Sequence, residues 1–435
     1  MSGSTKAPSK SANGTRQRRW RIPQPLLRDG SSPGPEGLAI LDEIESEMGW
    51  VMVKTLRSVI LWSQVEPRAR KGLFEAEAAD RRQVEILSTV PGEEEELRKA
   101  LEALLAILSK PERADPEEVG IACTRISAWA ERHGAPQTAL EFTQAAALAC
   151  PANPRLALQV GRTARDLARY GQAEAWLQRA VGLARQVSDW EIYVRSYLAH
   201  GTMLMRRGAL PAARRSFLKA QRRASRQGVR AWEAMAFHDL FALAVQMGDL
   251  DEALVSAENA ARAYRQDHEG FANFAHDVGY LWMQHGQYSH AYPIFSAALN
   301  RVEESCRPFV LGSLARAAAG LGDREAFESA AKTLEDYGAL PGVAEAWVEI
   351  ARGAMILGDH ADAKQAAEIA ERVAKDRGEG QVRFMAESVI EAAEAEARAV
   401  EVRKAEAEHA PNHVARRERL ARELLQTLTT AGEVV

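Results

Sequence analysis

The sequence lacks nearly everything a β-sheet is built from. Aromatic residues make up 6% of its 435 positions, and alternating runs of Val, Ile, Thr and Tyr are missing. That excludes a strand-based fold and, with Ala, Glu, Arg and Leu abundant, leaves an all-helical one. Cysteine is scarce as well. Cys123, Cys150 and Cys306 lie far apart, which rules out a disulfide framework and a paired-cysteine metal or redox motif. They read as reduced, buried thiols of a cytoplasmic protein. No uninterrupted apolar run reaches the roughly 18 residues needed to span a membrane, and the basic N-terminus has no apolar segment of the signal-peptide kind. The net charge of −4 provides no overall field for nucleic acid or membrane. Catalytic signatures are missing too: no Gly-rich phosphate loop after a strand, no His-Glu-x-x-His, no nucleophile elbow. His238, His276 and His285 recur with the repeat spacing described below, His276-Asp277 is an isolated pair, and His285 with His290 has no third ligand. The expectation is a protein with no catalytic residues, no cofactor and no metal.

What is present is a repeat. Short turns end in glycine at His133-Gly134, Tyr170-Gly171, Arg207-Gly208, Met247-Gly248, His285-Gly286, Leu321-Gly322 and Leu357-Gly358. Successive glycines are 37, 37, 40, 38, 36 and 36 residues apart, the kind of period that marks stacked supersecondary units. Five residues after the glycine stand Ala139, Ala213, Ala253, Ala291 and Ala363; twelve after it stand Ala146, Ala220, Ala260, Ala298 and Ala370. Nine after it come Phe217, Ala257, Phe295 and Ala367. These three positions share one helix face. Seven before the glycine the residue is again small (Ser127, Ala164, Gly201, Gly279, Ala315, Ala351), with Phe241 the exception. Small residues facing each other predict tight antiparallel helix pairs, each closed by a glycine in the left-handed conformation.

The segments Gly279…Gly286-Gln287-Tyr288-Ser289-His290-Ala291…Phe295…Ala298 and Gly201…Gly208-Ala209-Leu210-Pro211-Ala212-Ala213…Phe217…Ala220 carry a resemblance to the tetratricopeptide repeat family. The stretches after Gly248 and Gly358 fit it too, and Pro151 sits where that family often ends a repeat. The resemblance covers about 60% of the chain. Two repeats depart from it, since Gly171 to Ala175 and Gly322 to Ala326 are one residue short. The period exceeds the family's usual 34 or so, as in repeat domains of bacterial signalling and peptide-sensing proteins. It implies a right-handed α-solenoid of about seven antiparallel helix pairs, a TPR-like superhelix with helical caps at both ends.

The flanks read differently. Residues 1–35 are basic and rich in Ser, Gly and Pro, which predicts a disordered tail. Its patch Gln17-Arg18-Arg19-Trp20-Arg21 is accounted for by solubility. Residues 36–110 form an N-terminal helical segment, a cap or a small docking domain, with helices over about 37–64 and 68–89 and a third opening at Pro91-Gly92. No DNA-reading helix-turn-helix is visible in it. Repeats occupy residues 111–378, and Asp115-Pro116 is a helix start. Residues 379–435 are C-terminal capping helices: a long charged one over 380–408, then an amphipathic piece with Val414, Leu420, Leu424 and Leu428 that packs back or meets a partner.

In such solenoids the first helix of each pair lines the concave groove. Its groove positions fall about thirteen, ten, six and three residues before the turn glycine. They hold Arg165, Arg195, His238, Asn273, His276, Tyr280, Met283, Arg316 and Arg352, with Met205, Met235 and Met355 beside them. Any one of these alone is better explained by a solvated inner face with local ion pairs. Together they predict a peptide or protein segment in the groove, with arginines for carboxylates and methionines for an adaptable floor. The Lys and Asn pattern of chaperone-binding carboxylate clamps is not matched. Residues 206–230 hold nine basic side chains and no acid, which reads as a solvated convex face. The expected function is therefore a non-catalytic protein–protein interaction scaffold or adaptor. The alternative is a peptide-responsive regulatory sensor controlling a partner in bacterial signalling or transcription. A protein or peptide partner is expected; membrane, and nucleic acid as a direct ligand, are not, and oligomeric state is open.

Overall fold

A computed structural model describes residues 22–27, 37–44, 46–264, 268, 270–338, 342–377, 379–394 and 414–430. The protein is all-α, a series of antiparallel helix pairs in the α-solenoid manner, and no strand occurs among the described residues. It divides into two compact units, Met1–Met203 and Leu204–Val435.

Unit 1 opens with α1 (Leu38–Glu43), α2 (Ser46–Gln64), α3 (Ala78–Thr89), α4 (Glu95–Ala103) and α5 (Leu105–Ser109). The hairpins α6 (Pro116–Arg132) with α7 (Pro136–Ala149) and α8 (Pro154–Asp166) with α9 (Tyr170–Gln186) follow, and α10 (Trp190–Arg206) runs across the unit boundary. Unit 2 contains α11 (Leu210–Gln227), α12 (Arg230–Gln246), α13 (Leu250–Ala263), α14 (Gly270–Gln284), α15 (Tyr288–Leu299), α16 (Arg307–Gly320), α17 (Arg324–Glu335), α18 (Val343–Leu357) and α19 (His360–Asp376). It continues with α20 (Gly380–Glu394) and α21 (Val414–Thr430).

All seven turns close in the same way. The residue at the turn donates its N–H to a carbonyl three back, and the next residue donates to one five back, a Schellman-type closure. In six turns the residue is glycine (134, 208, 248, 286, 322 and 358), with φ between 69° and 83°. In the second turn it is Ala168, at φ 56°, and not Gly171, which lies inside α9. The predicted frame of that repeat was thus three residues too late. Moving it restores the pattern: Ala173, Leu177 and Ala180 now stand five, nine and twelve after the turn, all fully buried. Gly161 replaces Ala164 seven before it.

The helices of a pair meet where position −7 faces +9, and in the second to fifth repeats the two sizes are reciprocal. A Cβ on Gly161 would lie 2.7 Å from Leu177, and one on Gly279 would lie 2.9 Å from Phe295. Ser127 and Thr143 share a hydrogen bond of 2.7 Å at the equivalent place. The exception Phe241 has Ala257 opposite it in register, so the large residue has only changed sides. In the sixth repeat Phe327 takes the place of the alanine at +5. Its ring packs against Gly353 of α18, where a Cβ would lie 2.8 Å from it.

The flanks correct several expectations. The helix predicted over 37–64 is broken: Ile44 is extended, Ser46 has φ 75°, and a Cβ on Gly49 would meet the Ile44 carbonyl at 2.3 Å. The second predicted helix begins only at Ala78. One core runs without interruption from Ile40 of α1 to Ala149 of α7. Glu43 accepts the Gln137 and Thr138 N–H groups at 2.8 and 2.7 Å, capping α7. Residues 22–27, assigned to the disordered tail, lie against α9; the Gln17 to Arg21 patch lies outside the described residues. In unit 2, α20 covers α18 and α19 as an end cap, its predicted continuation over 395–408 lying outside the described residues. α21 is not a terminal cap. It folds back on α13 and α15, burying Leu420, Leu424 and Leu428, and Arg301 donates to its last carbonyls, those of Thr427 and Leu428, at 3.3 Å. Of the cysteines, Cys123 is buried, but Cys150 and Cys306 are only half-buried.

Candidate functional site

The groove positions behave differently in the two units. In unit 1 they border a cavity of about 830 Å³. Its lining includes Glu131 of α6, Arg155, Leu158, Arg162 and Asp166 of α8, and Ile192 and Arg195 of α10. Counted from Ala168, Arg155, Leu158, Arg162 and Arg165 are the −13, −10, −6 and −3 residues of the second repeat. Sequence reasoning missed Arg155 and Arg162 because it counted from Gly171. The restored alanine pattern after Ala168 was the signal that would have found them.

Arg195, one of the residues expected in the groove, lines the cavity, with Glu191 at 3.2 Å. Arg165 does not line it; it is turned toward Asp166 at 2.9 Å and is mostly covered. Arg155 reaches Asp189 at 3.7 Å. Arg162 is exposed and makes no hydrogen bond or ion pair among the described residues. The floor is apolar, from Pro136, Ala139, Leu158 and Ile192.

In unit 2 most of the candidates are held by two carboxylates, Glu349 and Asp277, that were not among them. Tyr280 donates its hydroxyl to Glu349 at 2.9 Å, Arg316 donates to the same carboxylate at 2.9 Å, and Arg352 at 2.6 Å. Arg316 and Glu349 are both 6% exposed. Burial alone would push the Glu349 carboxyl up, but the Arg316 and Arg352 charges overcome this and hold it below its usual range. Burial would likewise make Arg316 easier to deprotonate, and Glu349 reverses that, keeping it charged. A second knot surrounds Asp277. It accepts from His238 at 2.8 Å and from His276 Nδ1 at 3.3 Å, and His276 Nε2 stands 3.0 Å from the Ser313 hydroxyl. Burial disfavours the His238 cation; the Asp277 hydrogen bond and charge outweigh it and raise its pKa. Burial would also raise the Asp277 carboxyl, yet the two histidines hold it well below the carboxylate range.

His276-Asp277, read as an isolated pair, is therefore a junction between α12, α14 and α16. Its Ser–His–Asp order is that of a hydrolase relay. The surroundings do not serve that chemistry. Ser313 is buried in the interior of α16, where backbone N–H groups are spent on helix bonds and none is left for an oxyanion. Asp277, Ser313 and Glu349 each lie nine residues before their turn glycine, one helical turn after position −13. The predicted stripe omitted this position. Met283 is fully buried and belongs to the core, not the groove; Asn273 stands exposed. Among the described residues no three metal-type side chains are placed to hold an ion, and no helix is long and apolar enough to cross a membrane.

The basic face predicted over 206–230 lies largely on α11, with Arg215, Lys219, Arg222 and Arg226 exposed and Arg214 joined to Glu252 at 2.6 Å.

No protein-family model matches the chain, and no curated protein matches it. Solved structures with a similar chain path include a Rap protein complexed with competence and sporulation factor, at 10% identity and TM-score 0.44, covering 81% of this chain and 99% of that one. Another is the Rap conjugation gene regulator of plasmid pLS20 in complex with the Phr* peptide, at 14% identity and TM-score 0.43, covering 74% and 97%. A third is BtubC from P. vanneervenii, at 14% and 0.37, covering 51% and 90%. At these identities and scores the likeness carries nothing about a ligand.

Proposed function

We propose that this chain is a non-catalytic, TPR-like binding protein of the cytoplasm, and that the unit 1 cavity takes an acidic peptide segment. The cavity carries the reading. Three arginines from two first helices meet there over an apolar floor, and one of them, Arg162, has no partner among the described residues. A guanidinium offers paired donors to a carboxylate, and a volume of about 830 Å³ is in the range of ligand clefts. Of the nine residues predicted for the groove, Arg195 stays in the site. Arg155 and Arg162 join it, and His238, His276, Tyr280, Arg316 and Arg352 serve cohesion between repeats.

Fluorescence anisotropy with labelled Asp/Glu-rich peptides bearing a free C-terminus tests this. Replacing Arg162 with Ala is expected to weaken binding by roughly tenfold, the scale of one charge-assisted bond. Arg155→Ala should act in the same direction. Equal affinity for wild type and both variants would move the site elsewhere.

A further inference from the structure

The outer helix α9 presents three donors on one face: Gln172, Trp176 and Arg179, spaced four and three residues apart. All are buried, at 1%, 0% and 9% exposure. What they hold is the backbone of residues 22–27. Trp176 Nε1 donates to the Leu26 carbonyl at 2.8 Å, Arg179 Nη1 to the Pro23 carbonyl at 2.8 Å, and the Gln172 amide to the carbonyls of Leu26 and Leu27. At the other end Ile22 lies over Gly182, where a Cβ would stand 3.4 Å from it. The segment runs antiparallel to the helix.

Sequence explains the fit. Pro23 and Pro25 fix their own φ, and each restricts the residue before it to extended conformations. Five steps of such a chain cover roughly 15 Å; α9 from Gln172 to Gly182 rises roughly 15 Å as well. Proline cannot donate, so the segment is rich in unpaired acceptors, and α9 answers with side-chain donors. Gly182 leaves room for the β-branched Ile22. Arg179 is also tied to the Pro151 carbonyl at 2.7 Å, which fixes its fork, and the Gln172 Oε1 finds no donor among the described residues.

We infer that this face of α9 is a second peptide-binding site, separate from the cavity between first helices. It is specific for extended, proline-containing segments of the type Ile-Pro-x-Pro-Leu-Leu, and the chain's own residues 22–27 occupy it in cis. Recognition is through carbonyl acceptors and the ring-restricted backbone. A partner segment with the same pattern competes for the site, and the N-terminal residues act as its resident competitor.

The test uses a labelled synthetic peptide of residues 21–29 and two forms of the chain. One lacks residues 1–28. The other is full length with Ile22→Asp and Leu27→Asp, which weakens the resident segment without touching α9. The peptide is expected to bind both forms and to bind the unaltered chain at least tenfold more weakly. Adding Gln172→Ala and Arg179→Ala to the second form should reduce binding at least tenfold. A fluorine NMR signal from 5-fluorotryptophan at position 176, assigned by Trp176→Phe, reports occupancy directly. It should shift on truncation and return on peptide addition. Binding to neither opened form, or binding that ignores the α9 substitutions, would overturn the inference. So would a Trp176 signal indifferent to both truncation and peptide.

Discussion

The groove stripe of unit 1 and that of unit 2 are built from the same repeat positions and have opposite fates. In unit 1 position −10 of the second repeat is Leu158, and it floors a cavity. In unit 2 position −10 of the sixth repeat is Gly312. A Cβ there would lie 2.6 Å from the Ala346 Cα, so α16 and α18 touch through their backbones. The polar residues follow suit. Arg155, Arg162 and Arg195 border open space, while Arg316 and Arg352 converge on Glu349. Charge type alone does not mark a binding surface in a solenoid. What decides is whether the repeat spacing leaves room for a ligand or supplies a counter-charge from the next helix.

The sharpest way to break this contrast is Glu349→Ala. It leaves the buried Arg316 cation without its carboxylate, and removal of one partner of such a pair costs about 3–5 kcal/mol. Urea unfolding should show that loss, with Glu349→Gln falling between because its single carbonyl oxygen can still accept from Tyr280 and Arg352, while its amide NH2 can accept nothing from Arg316. Next comes Gly312→Ala. Overpacking against backbone that cannot yield is expected to cost about 1–3 kcal/mol, whereas Leu158→Ala in the cavity floor should cost less than burial in a core would predict. Calorimetric melts of the two variants compare them directly.

A smaller effect comes from the Asp277 knot. The raised His238 pKa means its contribution is complete below 6.5 and fades as pH rises through the higher folded value. The lowered Asp277 pKa means its contribution is present above 3.8 and fades as pH falls through the folded value. The pair therefore helps most between the two. With Asp277 about half exposed, the stabilisation is below about 1 kcal/mol. The difference in melting temperature between wild type and His238→Gln should shrink steadily from pH 6 to pH 9; a constant difference would show that the ion pair contributes nothing. Smallest of all is Arg162→Ala, an exposed substitution expected to leave stability within about 0.5 kcal/mol while lowering peptide affinity.

The fold was legible because turn closure and small-residue packing are local. Six of the seven turns could be read from glycine alone, and the buried alanines at +5 and +12 follow from helix geometry. The remaining one, the second in chain order, was misread because Ala168 adopts a conformation that glycine usually supplies, while Gly171 nearby offered a false marker. That three-residue error hid Arg155 and Arg162. The site was less legible for a further reason. Whether Arg316 meets Glu349 or a ligand depends on the distance between successive first helices, which Gly312 sets from one side and Ala346 from the other. Residues 22–27 were hidden differently: they are a short apolar stretch inside a tail that is otherwise basic and rich in Ser, Gly and Pro, and only the donors of α9, some 150 positions away, give its carbonyls a place.

Hydrogen exchange with and without an Asp/Glu-rich peptide bearing a free C-terminus tests the central claim most directly. The account predicts added protection in α6, α8 and the first half of α10, and none in α14, α16 or α18. Protection confined to the unit 2 helices, or no protection anywhere, would contradict it.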